Sequence, residues 1–199
     1  MQWLFILLPL LLWPVVFILL SSVFIYAMLC ATIILSSISY YLYKGRIKWH
    51  VGITKSLLAG VIGAILLYML FYVGYQATIA LGMQKDVGNV YAMIYGNAPA
   101  FILFPVLAII GICEEIYWRG GMQVYLKDAK SIFMRYPWIF AAFYYGLIHL
   151  STLNIILVGA AMLVGILTNI IAYRYGILAS IITHVAWIWM IVIFIPIGA

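Results

Sequence analysis

Long apolar runs alternate along this chain with short polar interruptions, and the runs reach or exceed the roughly 18 residues that a membrane-spanning helix requires. The interruptions divide the chain into about seven spans, near residues 3–20, 23–43, 56–81, 98–126, 133–150, 154–173 and 176–197. The pattern predicts an all-α fold, a polytopic transmembrane helical bundle forming one membrane domain over 1–199. Pro9 and Pro14 either kink the first helix or turn it into a re-entrant segment, because each removes a backbone donor. The longest polar stretch, 82–97, carries Tyr91, Met93 and Tyr95 and suits a place along the outer membrane interface.

Composition agrees with the pattern. Of 199 residues, 69% are hydrophobic and 7% charged, which excludes an ordinary soluble domain. The net charge of +6 does not indicate a nucleic-acid partner, since the cations are scattered through short loops and line no single polar face. They do set topology. Lys44, Arg46, Lys48, Lys55, Lys127, Lys130 and Arg174 fall on one side of the predicted bundle, with Arg135 at the same edge; Lys85 falls on the other. The positive-inside rule then predicts a cytoplasmic amino terminus and an outer carboxyl terminus. The first apolar block has neither a basic leader nor a small-residue cleavage site, and reads as a retained span. Cys30 and Cys113 lie in spans and form no disulfide framework or CxxC pattern.

The only two glutamates, Glu114 and Glu115, are adjacent within an apolar run. A carboxylate in that setting costs several kcal/mol unless it is paired or wetted, so such acids are usually kept for a function. Residues four apart share a helix face, so Glu115 and Arg119 can pair, whereas Glu114 points about 100° away and has no counter-ion on its own helix. If water reaches it, Glu114 is a candidate general base. His149 and His184 also fall within spans, while His50 lies in the basic loop as a solvated residue. At 1.5 Å per residue, Glu114, His149 and His184 lie roughly 18, 24 and 12 Å from the cytoplasmic ends of their helices, so all three can meet near mid-bilayer.

Several chemistries fit such a cluster. A structural polar knot would need one acid for one base, leaving the second glutamate unexplained. One glutamate with two histidines is also the donor set of a catalytic zinc site, although no HExxH occurs and the three would come from separate helices. A Cys113 nucleophile is disfavoured by apolar surroundings. A proton relay would call for further polar residues along the spans, and few are present. Tyr117 and Trp118 either line a cleft beside Glu114 or simply pack, and Gly120, Gly121, Gly159 and Gly165 suit close helix approach.

Glu114-Glu115-Ile116-Tyr117-Trp118-Arg119 resembles the EExxxR motif of the CAAX protease and bacteriocin-processing family of glutamic intramembrane proteases. Tyr145-Gly146-Leu147-Ile148-His149 is similar to its second motif, FxxxH, with tyrosine for phenylalanine. His184-Val185-Ala186-Trp187-Ile188 resembles its third, HxxxN, with isoleucine for asparagine. The resemblance covers about 98–197, which it implies is the catalytic core, with 1–81 as accessory spans. It implies a metal-independent endopeptidase without a cofactor, acting on a membrane-associated peptide or protein in the middle or cytoplasmic half of the bilayer. Glu114 would be the general base, His149 its partner and His184 an oxyanion donor, with Glu115 and Arg119 holding the first helix. Tyr145 keeps the ring and adds a hydroxyl one turn from His149, able to pack or to bond into the site. Ile188 lacks the amide donor. Either Thr183, Asn169 or the Tyr145 hydroxyl substitutes for it, or the chain is slow, or it is a non-catalytic scaffold or immunity protein of the same family. A prenylated tail, a bacteriocin leader and a sorting-tag helix are all substrates the resemblance allows. The short chain, without a soluble appendage, suggests a minimal prokaryotic form in the plasma membrane.

Overall fold

Prolines shape the first element of the computed structural model, which describes residues 2–128 and 136–198, and the side chains from residue 5 onward within them. Helix α1 (Gln2–Pro14) passes into a π-helical turn at Val15–Leu19 and then a 3₁₀ turn at Ser21–Val23. Pro9 has no N–H, so the Phe5 carbonyl loses its intrahelical donor. The Tyr117 hydroxyl donates to it instead, at 2.5 Å. The neighbouring Ile6 carbonyl accepts from the Tyr144 hydroxyl. Two tyrosines from later helices thereby hold α1 against the bundle.

The remaining helices are α2 (Phe24–Tyr43), α3 (Ile53–Ala80), α4 (Gln84–Tyr95), α5 (Ala100–Glu115), α6 (Gln123–Asp128), α7 (Pro137–Ile148), α8 (Ile155–Tyr175) and α9 (Ile177–Trp189). A π-helical segment, Ile116–Met122, joins α5 to α6 without a break, and a shorter one, Met190–Phe194, extends α9. No strand occurs among the described residues. Five runs are long and apolar enough to cross a membrane: Ser21–Tyr43, Ile53–Ala80, Ala100–Asp128, Ile155–Tyr175 and Ile177–Phe194. The predicted spans at 3–20 and 133–150 correspond to shorter helices, the apolar run Phe5–Leu19 and the 12-residue α7. Pro137 sets the start of α7, and a 3₁₀ turn at His149–Thr152 ends it. Lys130, Arg135 and the first residues of the predicted 133–150 span lie outside the described residues.

Outward faces are apolar, as lipid contact requires: Leu58 and Val73 on α3 and Phe101 on α5 are exposed. Inside, small residues bring helices together. A Cβ on Gly165 of α8 would lie 3.1 Å from the Ala142 backbone of α7, so a larger residue would force these helices apart.

Basic segments gather at one end of the bundle, where Lys48 Nζ lies 3.4 Å from the Tyr173 carbonyl. Arg46 pairs with Asp128 through both guanidinium nitrogens, one at 2.6 Å. The Ile177 and Leu178 amides donate to Lys48 and Trp49 carbonyls, each at 2.9 Å. Gly176, at φ +88°, makes that turn possible, because a Cβ there would meet the His50 backbone at 2.7 Å. At the far end of α3 lies α4, formed by the polar stretch expected at the interface. Its Tyr91 and Tyr95 hydroxyls donate to the Ile191 and Val192 carbonyls at 2.9 and 2.6 Å, which ties it to the π-helical end of α9.

Candidate active site

The two glutamates stand at the last two positions of α5, where the helix widens into its π-helical segment. Such segments recur at functional sites because they re-aim side chains and leave backbone carbonyls without their usual donors. Ser39 of α2 donates to one of them, Ile116 O, at 2.9 Å. Glu114, Glu115, Arg119, Tyr145, His149 and His184 are all buried, so every polar contact among them matters energetically.

Glu115 Oε1 lies 3.1 Å from an Arg119 terminal nitrogen, the pair expected from the four-residue spacing. The same oxygen is 2.8 Å from His184 Nδ1. The other ring nitrogen of His184 faces Glu114, with Nε2 3.7 Å from Oε2. His184 is thus wedged between both carboxylates, and Glu114, expected to stand without a charge partner, faces an imidazole from α9. Tyr145 donates its hydroxyl to the same Glu114 oxygen at 2.9 Å. The Arg119 guanidinium lies over the Tyr145 ring, 5.0 Å from its centroid, a cation–π contact that partly offsets its burial.

His149 is arranged differently. Its Nδ1 is 2.7 Å from the Tyr145 carbonyl one turn earlier; a carbonyl only accepts, so Nδ1 carries the proton and Nε2 presents a lone pair. That lone pair accepts the Trp13 indole N–H at 3.3 Å. The rings of Trp13, Phe17 and Tyr145 meet the imidazole edge to face at 5.9, 5.8 and 4.9 Å.

Glu114, Tyr145, His149, His184 and Ile188 share the wall of one cavity of about 400 Å³. The rest of the lining is largely apolar. It comes from the amino-terminal parts of α2 and α8, the carboxyl-terminal parts of α3 and α9, and from α4. The cavity therefore runs from the cluster towards the α4 end, away from the basic loops and not into the half where those loops lie. Among the described residues no group of three or more His, Cys, Asp and Glu side chains has the arrangement of a metal site.

Tyr117 and Trp118 are packed in the core, where Trp118 meets Trp13 and Tyr145, and the first of them anchors α1 as described above. Thr183 Oγ1 is engaged with the Gly60 and Ala179 carbonyls at 3.1 and 3.0 Å. Asn169 accepts from Gln123 at 2.6 Å and donates to the Trp138 carbonyl at 3.0 Å. Cys113 is buried. Trp13 is the site neighbour that sequence reasoning missed: it sits in a segment expected to be accessory, and one tryptophan in an apolar run carries no signal of its partner.

Fold and site together define a multispan membrane protein with an acid–histidine–tyrosine cluster opening on an apolar cavity. Residues 96–190, just under half of the chain, match the family model described as Type II CAAX prenyl endopeptidase Rce1-like, and this segment, which includes all three motifs, is similar to that family of proteases. Comparison with curated proteins and with solved structures gives no match.

Proposed function

We propose that this protein is a glutamic intramembrane endopeptidase that hydrolyses a peptide bond in a membrane-associated peptide or protein. The observation that carries it is the placement of Glu114, His149 and His184 on the wall of one cavity within the bundle. Water entering that cavity loses a proton to Glu114 as its oxygen attacks the scissile carbonyl, and the same carboxyl returns the proton to the leaving amine. His149, neutral with its lone pair on Nε2, orients the water; to do so the water displaces the Trp13 indole. His184 stands where a donor to the oxyanion is needed. As an imidazolium it donates from both nitrogens, and with Arg119 it balances the two carboxylates, so that no net charge is buried. The clustering of basic segments at one end supports an amino terminus in the cytoplasm and a carboxyl terminus outside. The cavity would then be reached from mid-bilayer or from the outer half.

The decisive experiment follows a fluorescence-quenched peptide bearing a farnesylated CAAX terminus, incubated with purified protein in detergent micelles or liposomes. Cleavage by the wild type, unaffected by chelator and lost in Glu114→Ala, is expected. Equal cleavage by both proteins would remove Glu114 from the mechanism, and loss with chelator alone would favour the metal reading. One observation favours a second reading: Ile188 on the cavity wall offers no donor one turn from His184. A non-catalytic membrane scaffold or immunity protein would keep the cluster for packing and leave the peptide intact whatever residue stands at 188.

A further inference from the structure

We propose that the Tyr145 hydroxyl is a catalytic residue, the second oxyanion donor, taking the place of the amide that Ile188 lacks. This inference rests on the peptidase reading above and assigns a role within the same site.

An acyl-transfer site needs two or more donors converging where the carbonyl oxygen becomes negative. On the cavity wall His184 Nε2 is one. One turn along α9, Ile188 presents only hydrocarbon. Of the nearby side chains able to donate, Thr183 and Asn169 are engaged with backbone carbonyls and with Gln123. Tyr145 remains. Its hydroxyl and His184 Nε2 approach the same Glu114 oxygen, at 2.9 and 3.7 Å. Two donors from two helices therefore point at one place, and a substrate oxygen beside Glu114 comes within reach of both.

The phenol is held for that task. The Trp118 ring meets it edge to face at 5.1 Å, His149 packs on it at 4.9 Å, and Arg119 covers one face. A ring so enclosed loses little entropy when its hydroxyl changes partner. The change of partner follows from the proton balance. At rest Tyr145 O–H donates to the Glu114 carboxylate. When Glu114 takes the water proton it becomes a neutral acid and a weaker acceptor, while the attacked carbonyl oxygen gains the negative charge. The hydroxyl rotates to the stronger acceptor and keeps its own proton throughout. As the C–N bond breaks, the Glu114 proton passes to the amine and the Tyr145 hydroxyl returns to the carboxylate.

Positioning of Glu114 alone would produce the same resting contact, so the test must separate the two roles. Wild type, Tyr145→Phe, Ile188→Asn, the Tyr145→Phe/Ile188→Asn double variant and Glu114→Gln are assayed on the farnesylated CAAX peptide, with melting temperatures measured alongside to establish folding. Removing one oxyanion donor predicts a fall in kcat of about 100-fold or more for Tyr145→Phe with KM nearly unchanged. The asparagine should restore at least about tenfold of that loss in the double variant, since a new amide donor replaces the missing hydroxyl. A double variant no faster than Tyr145→Phe, or a fully active Tyr145→Phe, would overturn the inference. So would an inert wild type beside an active Ile188→Asn, because nothing would then be standing in for the amide. Inert wild type and Ile188→Asn together, or a fully active Glu114→Gln, would instead overturn the peptidase reading, and this inference with it.

Discussion

The amino-terminal helices α1–α3 and the later helices α5–α9 are built from similar apolar sequence, yet among their described residues only the later ones bury ionisable side chains. In α2 and α3 the buried polar side chains are uncharged hydroxyls: Thr32 and Thr78 return to the Met28 and Tyr75 carbonyls at 2.9 and 2.7 Å, while Ser39 and Ser56 reach the Ile116 and Tyr175 carbonyls at 2.9 and 2.8 Å. The threonine contacts are satisfied within one turn and the serine contacts end on backbone carbonyls, so neither kind brings a charge into the bundle. In α5–α9 the buried polar groups include ionisable side chains whose partners lie tens of residues away, from Glu115 to His184 and from Glu114 to Tyr145. Local bonds stabilise a span; distant ones fix the relative placement of helices, which a site requires. Trp13 breaches this division, since α1 sends its indole to His149.

The sharpest way to break the comparison sets Glu114→Gln against Leu67→Ala. Loss of a positioned general base should lower kcat on the farnesylated peptide about 100- to 10,000-fold, with little change in melting temperature. Leu67 on α3 is fully buried in the core, so its truncation should cost about 2–5 kcal/mol of stability while the folded fraction keeps its kcat. Equal loss of kcat in both would mean that the two regions are not separable.

Arg119 should give the next largest effect, on stability. It is buried against Glu115 and over Tyr145, and Arg119→Met leaves one of two carboxylates without its cation. Breaking a buried pair in this way costs about 3–5 kcal/mol, read as a large fall in melting temperature. Removing Arg46 from its exposed pair with Asp128 should cost at most about 1 kcal/mol. A comparable fall in both would show that burial does not set the difference.

Much of this was legible from the residues. Hydropathy located five of the long helices because each run must satisfy its backbone internally, and the 115–119 spacing gave the ion pair because it lies within one continuous helical run. What the spacing could not give is which faces of separate helices meet. Hence His184 between two carboxylates, the Tyr145 hydroxyl on Glu114 and the cavity leading towards α4 all emerge only in three dimensions. The π-helical segment after Glu115 was equally hidden, since a pattern of 3.6 residues per turn assumes the geometry it cannot test. Residues 3–20 were ambiguous for a readable reason, the two prolines, but nothing in the pattern tied Trp13 to His149.

Trp13→Phe sharpens the contact by which α1 reaches an ionisable side chain of the later region. Phenylalanine keeps a ring against His149 but removes the N–H donated to Nε2. Stability should fall by about 1 kcal/mol for a lost buried hydrogen bond. Turnover should rise about fivefold, because water no longer competes with the indole for that lone pair. Nitrogen NMR of labelled His149 reports the loss directly. An unchanged or slower variant would return α1 to packing alone.

The smallest expected effect lies where α1 meets the later helices. Tyr117 donates to the Phe5 carbonyl at 2.5 Å, and that carbonyl is free because Pro9 stands four residues on. Tyr117→Phe should therefore cost about 1 kcal/mol. In a Pro9→Ala background the backbone N–H gained at that position supplies the intrahelical donor, so the same tyrosine truncation should cost distinctly less. The difference between the two costs is the coupling that a double-mutant cycle measures from melting curves. A coupling near zero would mean that the proline does not prepare the carbonyl for Tyr117, and that α1 is held on the bundle chiefly by its apolar face.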